Sequence, residues 1–266
     1  MPSAQPLVYF ILGAAGSGRR EIVADLIEGG LGAADRALVL LPAGEPPGAA
    51  DDRLGAVARW SWTEGRIEAP GLGGATHVFF IADGRRNPVD QVEAFAPWLA
   101  AAGGGLARIV CVIDCALAER HRELRPWFDA CVHFADVVLL NRRDGLPNKW
   151  LSDFQAHYAA QFLPSLFEPV KAGRVRNPAL ILEPQARRLS HFFDEEIDWE
   201  VTGDAEEEGG GEGDEEVTAE PVEDPYLQRR PGGRRVKEIP AIAAYLPDPA
   251  NASSASSGEN RTVGSE

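Results

Sequence analysis

Leu7 to Ile27 read LVYFILGAAGSGRREIVADLI. Leu7 to Leu12 is an apolar run of the length of one buried strand. Ile22, Val23, Leu26 and Ile27 recur at helical spacing. Between the two lies Gly13-Ala14-Ala15-Gly16-Ser17-Gly18-Arg19-Arg20. Strand, glycine-rich turn, helix is the setting in which a loop can hold phosphate. The glycines let successive backbone N–H groups turn inward towards an anion. The helix that follows adds its unpaired N–H groups and its positive dipole end.

Gly13 and Gly18 are separated as in the Walker A pattern: glycine, four residues, glycine, lysine, then serine or threonine. Arg19 stands at the lysine position and Arg20 at the hydroxyl position. Arg19 keeps a positive charge, carried on a wide planar fork instead of a compact ammonium. Arg20 has no oxygen to offer magnesium. Only 3 of the 26 basic residues are lysines, Lys149, Lys171 and Lys237. A drift to arginine therefore accounts for Arg19, but not for a lost oxygen ligand. Gly13, Gly16, Ser17, Gly18, Arg19 and Arg20 read as a loop able to hold phosphate and poorly built for metal-assisted hydrolysis. A glycine-rich turn with no ligand is the plain alternative.

The chain has 266 residues, 44% of them hydrophobic, and a formal charge of −15. Between Asp194 and Asp224 there are 16 acidic residues and no Lys or Arg; without them the remainder is near neutral, at +1. The acidity belongs to a tail, which argues against nucleic acid as a partner. Cys111, Cys115 and Cys131 are too few for a disulfide framework and suggest a reducing, cytoplasmic setting. On one strand Cys111 and Cys115 would be about 13 Å apart, too far for a bridge or a shared metal. The first apolar run has no basic flank and no cleavage site, so it does not read as a signal peptide. No run approaches the roughly 18 apolar residues of a membrane span.

Further along, Arg36–Leu41 reads as a strand, and Ala56–Ala69 as a hairpin turning at Glu64-Gly65. Trp60 and Trp62 share one face of it, a core or interface face rather than a stacking platform. His77–Ile81, Ala107–Ile113 and Ala135–Leu140 are apolar strands, and Ala179–Leu182 reads as a short last one. Helical spacing covers Pro88–Leu99, most of Leu117–Val132 with a bend at Pro126, and Lys149–Phe162; Pro184–Phe193 reads as a final helix. Strands apolar throughout, separated by helices, imply an α/β fold: a mostly parallel sheet with flanking helices. Functional residues then gather at the carboxyl ends of the strands. Gly13, Asp83, Asp114 and Asn141 fall there. Residues 1–198 form the folded domain in this reading. Residues 199–266 form a disordered tail, acidic to Asp224, then basic at Arg229, Arg230, Arg234, Arg235 and Lys237.

Asn141-Arg142-Arg143-Asp144 follows ADVVLL and resembles the Asn-Lys-x-Asp guanine-recognition motif of GTPases, with Arg142 in the lysine place. An aspartate accepts from both the ring N–H and the exocyclic amine of guanine, a pair that adenine lacks. The whole span, residues 6–195, resembles the CobW branch of the metallochaperone GTPases, relatives of the nickel-insertion GTPases HypB and UreG. Gly84-Arg85-Arg86-Asn87-Pro88 has the Gly and Pro spacing of the segment after that family's third strand. Asp114 ends a strand as in the family, and Asn177-Pro178-Ala179 resembles its closing segment.

The resemblance implies a P-loop nucleotide-binding fold. Gly13, Gly16, Ser17, Gly18, Arg19, Arg20, Asn141, Arg142 and Asp144 would form its nucleotide site, and GTP or GDP the ligand. The departures imply weak binding and doubtful use of Mg2+. Ile81 stands where the family carries a magnesium-linked acidic residue, and the Ala56–Ala69 hairpin lacks the family's Cys-x-Cys-Cys. No metal site is expected, since His77, His121, His133, His157 and His191 are scattered. No residue is assigned a catalytic role. The favoured function is a degenerate GTP-binding-fold protein in a regulatory or scaffolding role. A protein partner would meet the charged tail or the Trp60/Trp62 face, with no membrane involved. The alternatives are an active GTPase that assists metal or cofactor insertion and a small-molecule kinase of similar fold.

Overall fold

The computed structural model describes residues 5–194 and 223–248. Its centre is β1 (Leu7–Gly13), whose residues 8 to 13 are all buried. Around it run β2 (Ala37–Pro42), β3 (Ala56–Thr63), β4 (Arg66–Glu68), β5 (His77–Ile81), β6 (Gly105–Asp114), β7 (Val137–Asn141) and β8 (Leu166–Pro169). They form one sheet in the order β4-β3-β2-β5-β1-β6-β7-β8. Every pairing is parallel except the β3–β4 hairpin. Glu64 and Gly65 turn that hairpin with φ of 50° and 79°, the left-handed pair that a two-residue connection requires. The α/β fold with a mostly parallel sheet is as the residue pattern implies.

Alternation along β1 splits the core in two. Val8, Phe10 and Leu12 face one layer; Tyr9 and Ile11 face the other. The first layer is covered by α2 (Pro88–Ala102), α4 (Arg125–Phe134) and α5 (Asn148–Ala159), through Phe95, Phe128 and Phe154 among others. Phe10 stacks on Phe95 at 4.1 Å between ring centroids. Truncating Phe10 to Ala would cost about 3–5 kcal/mol. The second layer is covered by α1 (Arg19–Gly30) and α6 (Pro178–Leu182). The short α3 (Cys115–Arg120) leaves β6 directly, its first turn capped by the Asp114 side chain, which accepts from the Leu117 N–H.

Three expectations are corrected. Residues 179–182 are helix, not strand. Asn177 caps the Leu180 N–H and Pro178 sits in the first turn, both helix-start signals. Four apolar residues satisfy either period. The sheet instead ends at β8, beside β7. Residues 184–193 form no helix. Buried Asp136 pins that segment, accepting from the Arg187 N–H at 2.6 Å and pairing with Arg188 at 3.3 Å.

The third correction concerns the tail. Residues 223–248 pack on the domain, burying Tyr226 and Ile242 in the first layer. Arg235, expected in a solvated basic patch, is buried and pairs with Asp90 at 2.7 Å and Glu93 at 2.6 Å, both on α2. Asp224 meets His133 of α4 at 2.8 Å. Of the basic run, Arg229 and Arg235 find their counter-charges on α2, while Arg234 pairs with Glu238 of its own segment. The acidic stretch 199–222 lies outside the described residues.

Candidate functional site

The loop after β1 is shaped by its glycines. Gly13 has φ of 138°, and a Cβ there would lie 2.5 Å from the Val112 carbonyl oxygen. Gly18 has φ of 91°, and a Cβ there would lie 2.4 Å from Nδ2 of Asn141. Gly16 is also left-handed, at 81°. Gly84, after β5, packs its backbone on the loop: a Cβ would fall 2.2 Å from the Ala15 nitrogen, and the Ala15 N–H donates to the Gly84 carbonyl at 3.0 Å. Gly18 opens α1 with no side-chain cap. The first intrahelical bond there is from Ile22 N–H to the Gly18 carbonyl. The Arg19, Arg20 and Glu21 amides precede any intrahelical acceptor and remain available to an anion. Ser17 Oγ is fully buried beside this turn with no hydrogen-bond partner.

Asn141, ending β7, donates from Nδ2 to the Ser17 carbonyl at 2.8 Å. The two ends of the candidate site, 124 residues apart, are thereby fixed to one another. Arg142 takes a left-handed φ of 53° and lies 3.4 Å from the Asp114 carboxylate. Asp144 is exposed. With Gly18, Asn141 and the 172–174 turn it lines a cavity of 340 Å³. That turn, Ala172-Gly173-Arg174, is closed by paired backbone bonds between Lys171 and Arg174 at 3.0 Å. Sequence reasoning missed it because β8 was not recognised. Glu168 and Pro169 interrupt its apolar pattern, as suits a sheet edge. The available signal was Gly173 after a short apolar run; Ala172 and Gly173 take left-handed φ of 49° and 71°.

A second cavity, of 260 Å³, lies on the other side of the loop. It shares Gly18, Glu21 and Arg142 with the first, so the two form one trough along the carboxyl edge of the sheet. Its far end is the 44–48 segment that follows β2. Here the arginines are already engaged. Arg19, only 3% exposed, donates to the Ala82 carbonyl and to Oε1 of Glu45. Arg20 donates to Oε2 of Glu45 at 2.9 Å, to Asp51 at 2.9 Å and to the Pro46 carbonyl at 2.9 Å. Burial works to raise the Glu45 carboxyl, but Arg19 and Arg20 together hold it below the usual carboxylate range. The expected free charge of Arg19 is therefore matched by Glu45, a residue that sequence reasoning passed over within a Gly/Pro-rich loop.

The positions that the resemblance links to magnesium offer it no oxygen. Ile81 is fully buried, and Arg20 is a donor only. The corner's carboxylates, Glu45 and Asp51, are bonded to guanidinium groups. Asp83 accepts from the Arg85 N–H and from Arg86 at 2.9 Å.

The described residues contain no group of three or more His, Cys, Asp or Glu placed to hold a metal. Each histidine lies by a carboxylate of its own, as His191 does by Asp194 at 2.7 Å. Cys111 lies in β6 and Cys115 begins α3, so the two do not share a strand. Burial pushes the Cys115 thiol up to about 12, and the Cys131 thiol is raised by burial and by its contact with Cys111. Trp60 is buried with its indole N–H on the Ile81 carbonyl at 2.9 Å. Only Trp62 of that pair reaches the surface, under the Arg86 guanidinium at 5.7 Å. No helix among the described residues is long and apolar enough to cross a membrane.

No family model matches the chain, and no curated protein matches it in sequence. Among solved structures, the Zn(II)-bound YjiA GTPase from E. coli is similar at 12% identity and a TM-score of 0.42. The match covers 69% of this chain and 66% of that one, just under two thirds. A Zn(II)-bound triple mutant of YjiA GTPase gives the same figures.

Proposed function

We propose that this chain binds a guanine nucleotide along the trough at the carboxyl edge of its sheet, hydrolyses it weakly or not at all, and acts as a regulatory or scaffolding partner. The observation that carries this reading is the bond from Asn141 to the Ser17 carbonyl. It joins an anion-accepting loop to an exposed carboxylate, Asp144, across a cavity of 340 Å³. A carboxylate there accepts the ring N–H and exocyclic amine of guanine together. The aliphatic stem and guanidinium of Arg142 suit stacking on a base. The amides of Arg19, Arg20 and Glu21 suit the phosphates.

Hydrolysis is the weak part of the design. Phosphoryl transfer relies on a metal ion to neutralise charge between the β- and γ-phosphates. The oxygen donors for such an ion are missing at Arg20 and Ile81. An active GTPase would bind magnesium tightly and turn over in its presence.

The test is a change of base preference. In Asp144→Asn the carboxylate becomes an amide that can donate to a 2-oxo group. Affinity for GDP should fall at least tenfold while affinity for xanthosine diphosphate rises. An unchanged preference would remove Asp144 from the site and the guanine reading with it.

A further inference from the structure

The trough has a direction. Base-recognition residues follow β7 and β8, the loop follows β1, and Glu45 follows β2. In the sheet order, β7 and β2 each lie two strand positions from β1, on opposite sides. Each step is about 4.8 Å, so each side lies about 10 Å from the loop. A nucleotide with its base at Asp144 and its first phosphates on the loop would extend its phosphate chain towards β5 and β2. The chain's end would meet the corner where Arg19 and Arg20 hold Glu45.

Resting on the guanine-nucleotide reading, we propose that the Glu45 carboxylate stands in for a terminal phosphate and makes the site selective for nucleoside diphosphates over triphosphates. Arg19 and Arg20 are the guanidinium groups that a third phosphate would use, and both oxygens of Glu45 are bonded to them. Asp51 takes the remaining reach of Arg20. Arg19 and Arg20 are matched by Glu45 and Asp51, with Arg59 a further 3.9 Å from Asp51 at the outer edge of the cluster. A γ-phosphate would have to displace one half-buried, doubly bonded anion with another, and without a metal to offset the repulsion. A diphosphate ends short of Glu45 and avoids that contact. The segment carrying the carboxylate is fixed as well. Asp51 accepts from the Gly48 N–H, and Arg59 donates to the Pro42 and Glu45 carbonyls at 3.1 and 2.8 Å.

The experiment is equilibrium titration of the full chain with GMP, GDP and GTP, in EDTA and in magnesium, repeated with Glu45→Gln. Glutamine keeps the size and an acceptor oxygen but leaves the two arginines with an uncompensated charge. The full chain should bind GDP at least tenfold more tightly than GTP, with little effect of magnesium. Glu45→Gln should narrow or reverse that ratio by raising GTP affinity, and a native circular dichroism spectrum confirms that it folds. GTP binding as tight as GDP in the unaltered chain overturns the selectivity while leaving the guanine site standing. The same holds if Glu45→Gln leaves the ratio unchanged. Absence of binding by all three nucleotides overturns the guanine reading itself.

Discussion

Glu45, held between Arg19 and Arg20, carries a pH signature. Its folded carboxyl lies below the ordinary value because of Arg19 and Arg20, whose charges outweigh the opposing effect of burial. Folding thus favours the ionised form. The associated stability is fully present above the unfolded value, about 4.3, and is lost as pH falls through the lower folded value. Asp224 behaves alike: burial raises it, but the bonds from His133 and Ser190 prevail and lower it. Urea unfolding at pH 7 and pH 3 should show the unaltered chain losing more stability than Glu45→Gln over that range. Equal losses would mean that Glu45 is not held ionised. Such a residue was invisible beforehand. The glycines at 13, 16 and 18 and the Asn141–Asp144 run announce themselves by spacing. The partner of an arginine 26 residues away does not.

At the scale of elements, the docked segment 223–248 makes the clearest prediction. It buries Tyr226 and Ile242 and neutralises Asp90 and Glu93 through Arg235. Its end reaches the trough, where the Arg85 guanidinium donates to the Pro247 carbonyl. A chain ending at 198 should lose about 2–4 kcal/mol, chiefly from two apolar side chains returned to water and a broken ion-pair set. Calorimetry should then find Tm lower by roughly 5–15 °C. A shift within a degree or two would mean that the segment adds nothing to the core, as its composition alone suggests. Elements with a strict apolar period were legible: β1, β5, β6, β7 and α2 are read directly from their side chains. The misses have local causes. Pro169 disguises β8, and four apolar residues after Asn177-Pro178 fit strand or helix until α1 is in place. Gly29 and Gly30 admit α6 there, since a Cβ at Gly30 would lie 2.5 Å from Leu182. The packing of the 223–248 segment was unreadable because its partners, among them Asp90 and Glu93, lie more than 140 residues from Arg235.

For the molecule as a whole, a parallel sheet buried on both faces gathers its strand ends on one edge, and that edge holds every residue assigned to the site. The loop after β1, the Asn141 tie and the Glu45 corner lie along it in the order base, phosphate, internal carboxylate. In the proposed function this edge binds a guanine nucleotide without needing a metal ion. Calorimetric titration of the full chain with GDP and with ADP, each in EDTA and in magnesium, tests it most directly. Stoichiometric GDP binding is expected, with ADP at least tenfold weaker, about 1.4 kcal/mol, and GDP affinity within about threefold in the two buffers. Equal affinity for GDP and ADP, or GDP binding that vanishes in EDTA, would contradict it.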